Sequence, residues 1–183
     1  MQFHHGLSEV YFIKSGNLNK SMGDNSTTIP QIFTLLQGTW AGQGRGQFPT
    51  VNSFDFRETL TLTRRDEKTL AYEQRAEKLY DGQTEWLQSH WENGFIRILE
   101  SGELELTSAQ IGRTEVLVGS IQSIGSLFRI HFVSKTITND PRMISSARRF
   151  ELEGDTLRYE MEMQTTAVDQ STKHLEIELQ RSD

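Results

Sequence analysis

Gly38-Thr39-Trp40-Ala41-Gly42-Gln43-Gly44-Arg45-Gly46-Gln47-Phe48-Pro49-Thr50 places glycine at alternate positions from Gly42 to Gly46. Successive side chains of an extended strand point to opposite sides. Trp40, Gly42, Gly44, Gly46 and Phe48 therefore share one face, and Thr39, Ala41, Gln43, Arg45 and Gln47 the other. Glycine weakens a strand, so three on one face predict a place where the strand bends sharply or lets another group approach its backbone. Bounded by Trp40 and Phe48, such a strand suits the closure point of a small barrel. A phosphate-binding loop is the competing reading, and it fails. The later glycine of a dinucleotide fingerprint is missing, no Lys-Ser or Lys-Thr pair follows, and Pro49 stands where a helix would open.

Downstream of Pro49 the chain alternates almost without interruption. Phe54, Phe56, Leu60 and Leu62 fall on one face of the segment from Ser53 to Thr63, with Glu58 on that same face. Leu70, Tyr72, Gln74 and Ala76 line the next segment. Further strands are expected at Leu87 to Leu99, Glu103 to Ala109, Thr114 to Ser120, Leu127 to Lys135, Ile144 to Leu152, Thr156 to Thr165 and His174 to Gln180. Turn signals such as Asp81-Gly82, Ser101-Gly102 and Glu153-Gly154-Asp155 separate them. Upstream, Ile32, Phe33, Leu35 and Leu36 recur at helical spacing, with Pro30 in the first turn and Gly38 as the stop. Ten short strands with short connections predict antiparallel pairing, and so long a meander removes its edges by closing. The expectation is an all-β, ten-stranded up-and-down antiparallel barrel, similar to lipocalins and fatty-acid-binding proteins, with one short helix plugging an end. A barrel of about ten strands encloses more room than side chains fill. A cavity lined by Trp40, Phe54, Tyr72, Met161 and Met163 would suit a flat or oily ligand.

At 183 residues the chain is expected to hold one barrel domain over residues 29–183. Residues 1–28, rich in Ser, Gly and Asn with one short apolar patch, read as a flexible extension without a secretory signal. The absence of cysteine fits a reducing compartment and a cytoplasmic location. A net charge of -6 at pH 7 argues against a nucleic-acid partner, and no apolar run is long enough to span a membrane.

With no cysteine, histidine is the natural ligand or base. His131 shares a face with Leu127, Arg129 and Val133, opposite Phe128, Ile130 and Phe132, and reads as outward. His90 shares a face with Glu92, a spacing that serves either a hydrogen-bonded pair or half of a metal site. His174 opens the last strand, where strict alternation groups it with Glu176 and Glu178, facing out. Only a place at the strand's first residue, at the barrel mouth, frees it to turn inward.

The Gly-x-Trp-x-Gly-x-Gly signature formed by Gly38, Trp40, Gly42 and Gly44 resembles that of the nitrobindin family, the heme-binding β-barrels. Phe48-Pro49-Thr50 stands where the family has Tyr-Pro-Thr. His90-Trp91-Glu92-Asn93-Gly94-Phe95, Met163-Gln164-Thr165-Thr166 and His174-Leu175 extend the likeness from about Pro30 to Arg181. The resemblance implies a ten-stranded barrel holding ferric heme b at one end. It implies that His174 is the iron's axial ligand, that Thr50 lies at the heme and that His90 lies near the distal side. It further implies binding of nitric oxide and isomerisation of peroxynitrite to nitrate, in a monomer or homodimer. Phe48 departs from the family by losing a hydroxyl, Ser89 stands where a plant-type member has methionine, and the loop before His174 is one residue longer. The alternative from another class is a non-catalytic carrier of a fatty acid or other hydrophobic ligand. Against it, Arg158 and Tyr159 are adjacent rather than spaced as Arg-x-Tyr, so they lie on opposite faces. A family member without its cofactor, serving as an interaction module, is a third.

Overall fold

The alternating segments form ten strands: β1 Gly38–Phe48, β2 Val51–Asp66, β3 Thr69–Leu79, β4 Leu87–Ile98, β5 Leu104–Gln110, β6 Arg113–Ile124, β7 Leu127–Thr138, β8 Met143–Glu153, β9 Thr156–Thr165 and β10 Thr172–Arg181. They come from a computed structural model that describes residues 25–48, 51–79 and 83–182. Each strand pairs antiparallel with its sequence neighbours, and β1 pairs with β10, closing the sheet into a barrel. Residues 1–24, which carry most of the expected extension, lie outside the described part.

The glycine face of β1 is where the barrel closes. A Cβ on Gly42 would lie 2.1 Å from the Glu178 carbonyl oxygen of β10, and one on Gly46 would lie 2.2 Å from the Phe54 ring of β2. The two neighbouring strands crowd onto β1 from either side, which no residue with a Cβ permits.

Among the described residues one helix, α1 Asn25–Leu36, precedes β1. It begins before the expected start, so Pro30 is its sixth residue rather than part of its first turn. Ile32, Phe33 and Leu36 are buried. The Trp40 indole nitrogen donates to the Leu36 carbonyl at 2.8 Å. Arg181 at the end of β10 donates to the carbonyls of Gln37 at 2.7 Å and Leu35 at 2.6 Å. A helix C-terminus exposes unpaired carbonyls and partial negative charge, and this guanidinium answers both. It also lies over the Trp40 ring at 4.2 Å.

The interior is layered. At the helix end Leu60, Leu62, Leu70, Ile96, Leu104, Leu106 and Leu179 form an apolar core with α1. Halfway along, Glu58, Tyr72, Gln74, Glu92, Glu115, Arg148 and Tyr159 are buried polar residues. At the opposite end stand Phe54, His90, Arg113, Met161 and Met163.

Candidate functional site

The middle layer centres on Arg148, which is wholly buried on β8 beside Phe150 and Leu152. One terminal nitrogen donates to Glu92 at 2.5 Å and to the Tyr72 hydroxyl at 3.2 Å. The other donates to Glu115 at 2.9 Å. Having accepted from Arg148, Tyr72 passes its own proton to Gln74 Oε1. Burial pushes the Glu92 carboxyl upward, but the Arg148 charge and hydrogen bonds from His90, Arg148 and Ser108 outweigh it and hold it down at about 2. A buried charge is tolerated only when paired and hydrogen-bonded, a condition the terminal nitrogens of Arg148 meet, whereas its Nε and the Tyr159 hydroxyl have no hydrogen-bond partner among the described residues. The layer is also weak at Arg113, whose Nε lies 2.9 Å from Glu115 Oε1 with the N–H turned away, so that neither atom completes a hydrogen bond.

Above this layer is a cleft of about 220 Å³ at the open end. Phe54, Phe56, Met161, Met163 and Leu175 supply its apolar walls, and Glu58, Gln74, His90, Gln110 and Arg113 its polar ones. The cavity expected from sequence therefore divides in two. Phe54, Met161 and Met163 line the cleft, whereas Trp40 belongs to the helix-end core and Tyr72 to the ionic layer.

His90 stands at the mouth. Its Nε2 is 3.1 Å from Glu92 Oε2, and its side chain is 31% exposed. The pairing with Glu92 is the one the spacing allowed, although the ring is only partly buried. His131 is exposed, as expected.

His174 corrects the alternation argument. β10 starts at Thr172, two residues earlier than expected, so His174 is not its first residue. Lys173 pairs with Glu162 and Leu175 with Met161, which leaves His174 as the extra residue of a β-bulge. A bulge puts two consecutive residues opposite one and re-aims a side chain. His174 consequently falls outside the alternation and is only 4% exposed, next to Leu175; it lines a concavity with Arg45, Arg149, Glu160 and Lys173, whereas Leu175 is the residue of this pair that lines the cleft. Its Nδ1 lies 2.8 Å from the Thr172 carbonyl. A carbonyl only accepts, so Nδ1 carries a proton, as it does in imidazoles that bind a metal through Nε2. Thr50 lies outside the described residues, as does the side chain of Phe48.

The family model described as "THAP4-like, heme-binding beta-barrel domain" matches residues 31–181. The chain belongs to this family, the nitrobindins. It is 35% identical over 140 residues to the protein named peroxynitrite isomerase 1 of Mycolicibacterium paratuberculosis, covering 73% of this chain and 84% of that one. A Nocardia farcinica protein named peroxynitrite isomerase is 32% identical over 158 residues, covering 83% and 91%. Among solved structures, that of Rv2717c from M. tuberculosis superposes with a TM-score of 0.74 at 27% identity, covering 84% of this chain and 96% of that one. The ten-stranded nitrobindin barrel is thus the fold of this chain.

Sequence reasoning missed the ionic layer. Its signal was legible, because Arg148 alternates with Phe150 and Leu152, and Glu92 with Ile96, on faces that must point inward.

Proposed function

We propose that the cleft holds heme b through His174 and that the loaded protein binds nitric oxide and isomerises peroxynitrite to nitrate. The observation that supports this reading is the bulge that buries His174 beside Leu175, a residue of the cleft wall, with its Nδ1 tied to the Thr172 carbonyl. Among the described residues, no three His, Asp or Glu converge as metal ligands. Heme would bring most of its iron's ligands with it and would need one protein nitrogen, which His174 would supply. The apolar walls of Phe54, Met161, Met163 and Leu175 suit a porphyrin face. Sites that bury a whole ligand typically measure roughly 300–1,000 Å³. At about 220 Å³ the described walls embrace only part of a heme.

Heme supplies a ferric centre at which the O–O bond of peroxynitrite is rearranged. The chain's own residues do the rest. His174 would supply the protein ligand to the iron, the family likeness would give Thr50 a place near the cofactor, and His90, hydrogen-bonded to Glu92, presents a polar group at the mouth. The apolar walls exclude water and confine reactive fragments.

A fatty-acid carrier would need a buried cation for the carboxylate. Arg148 is wholly buried and its terminal nitrogens are taken by Glu92, Glu115 and Tyr72, while Arg113, the guanidinium in the cleft wall, is 13% exposed and stands 2.9 Å from Glu115. Arg158 points outward to Glu178 while Tyr159 points inward.

Titrating hemin into wild type, His174→Ala and His90→Ala tests the assignment. The Soret band and accelerated peroxynitrite decay should be lost in His174→Ala with circular dichroism unchanged, while His90→Ala alters the rate but keeps the band. An unaltered Soret band in His174→Ala refutes it.

A further inference from the structure

Glu58 stands apart from the ionic layer it borders. It is 4% exposed on β2, points inward and lines the cleft floor with Gln74 and Arg113. The buried charges already balance without it, since Arg148 and Arg113 are answered by Glu92 and Glu115. Ionising Glu58 would add an uncompensated negative charge, so burial keeps its carboxyl protonated, pushed up to about 8. The Tyr72 proton donated to Gln74 Oε1 turns the Gln74 amide nitrogen toward Glu58, where it bonds one carboxyl oxygen. The other oxygen, Oε1, has no partner among the described residues. In a neutral carboxyl whose bonded oxygen is the acceptor, the orphaned oxygen bears the proton. A buried donor without an acceptor is costly and points to a ligand.

In the wall of the same cleft, Arg113 Nη2 spends one proton on Gln110 Oε1 at 3.0 Å and another on Met163 Sδ at 3.8 Å. A thioether is a weak acceptor that an oxygen anion displaces.

We propose that neutral Glu58 and Arg113 form a hydrogen-bond-donating seat for a small oxoanion at the floor of the cleft. This rests on the reading of the cleft as the ligand site and adds a place, within the same cavity, that holds nitrogen oxoanions by their oxygens. The carboxylate of an organic acid offers the same chemistry. The groups facing Glu58 and its layer are Tyr72 and Lys78 on β3, His90 and Glu92 on β4, Arg113 and Glu115 on β6, Arg148 on β8 and Tyr159 on β9. On β1 its partner is Gly42.

The test is calorimetric titration of the heme-free protein with sodium nitrate and, separately, with octanoate, at about pH 6.5 and 9.5. Anion binding needs the neutral carboxyl, whose population falls as pH rises through about 8. Nitrate affinity in wild type should therefore drop about tenfold or more at the higher pH. Glu58→Gln keeps a donor but cannot titrate, so it should bind nitrate at both pH values with less than about a twofold difference. Arg113→Gln should weaken binding at least about tenfold at pH 6.5. Octanoate binding with the same Glu58 dependence, and none by nitrate, assigns the seat to an organic carboxylate. Absence of saturable binding by either anion overturns the proposal, as does pH dependence that survives Glu58→Gln. Hemin added to the same samples separates the two readings. A Soret band without oxoanion binding leaves the heme site standing and removes the seat, and nitrate binding without hemin uptake does the reverse.

Discussion

Replacing Arg148 with methionine keeps the aliphatic stem and deletes the charge that holds the middle layer together. Glu92, whose side chain is as fully buried as that of Arg148, would then have no guanidinium, and equally buried Glu115 would keep only Arg113. Removing one partner of a buried ion pair costs about 3–5 kcal/mol, because the remaining charge stays desolvated. In a domain of this size each 1 kcal/mol lowers Tm by roughly 2–4 °C, so the variant should melt about 10 °C lower at pH 7. The cost should depend on pH with a definite sign. In wild type the Glu92 carboxyl is held at about 2, so it contributes stability above its unfolded value near 4.5 that is lost as pH falls toward 2. Without Arg148, desolvation dominates and raises that carboxyl, so the variant gains stability as Glu92 is protonated. The gap between the two proteins should therefore narrow from pH 7 to about pH 4. Urea unfolding at both pH values measures it, and adding Glu92→Gln and Glu115→Gln to Arg148→Met should recover most of the loss. A cost below about 1 kcal/mol at pH 7, or one that is equal at the two pH values, would refute the claim that Arg148 neutralises this layer.

Glu58 should act on stability in the opposite sense. With its carboxyl raised to about 8, it contributes stability that is complete below about pH 4.5 and lost as pH climbs to 8, of order 5 kcal/mol. Wild type should thus lose more stability over that range than Glu58→Gln, and parallel urea curves would exclude it. Gly42→Val should cost more than about 3 kcal/mol or prevent folding, because the added carbon meets the Glu178 carbonyl at 2.1 Å. Denaturant melts check this, with near-wild-type stability as the adverse result. Deleting residues 1–24 should leave Tm within a few degrees, whereas deleting 1–36 removes buried Ile32, Phe33 and Leu36, worth about 1.5–3 kcal/mol each. Equal melting of the two truncations would mean that α1 contributes nothing to the barrel.

Strand number, closure through β1 and the helix plug were readable because each rests on a local period. Alternation is a period of two, and in a closed sheet every strand has one inward face, so hydrophobic residues at that period identify the strands without knowledge of the partners. The glycines were equally direct, since a crowded backbone tolerates no Cβ. What alternation cannot carry is a bulge. One inserted residue reverses the phase, and nothing between Thr172 and Leu175 announces it. His174 therefore counted as outward and exposed by its own strand, whereas the pairing with β9 leaves it out of the alternation and buried. The cavity estimate failed differently. Face assignment says which residues point inward but not at what depth, so Trp40, Tyr72 and Met163 were grouped although the register spreads them over three layers.

That depth ordering links fold to chemistry. An apolar core alone, closed by α1 and Arg181, suffices to hold the helix end, so the costly charges are not needed there. Placed in the middle, Arg148 with Glu92 and Glu115 separates that core from the open end by a rigid polar floor. The same Glu92 that Arg148 fixes also receives His90 at 3.1 Å, so the orientation of the mouth is set by a charge buried a layer below. A change at Arg148 should consequently disturb ligand access through His90 even where the barrel survives. A change at His174, carried by a bulge on β10, leaves that floor intact. Fold and ligand binding are separable at His174 and coupled at Arg148, and comparing hemin affinity per unit of lost stability in Arg148→Met and His174→Ala distinguishes the two kinds of residue. If both variants lose affinity in proportion to stability, the floor and the ligand position are one structural unit and the distinction falls.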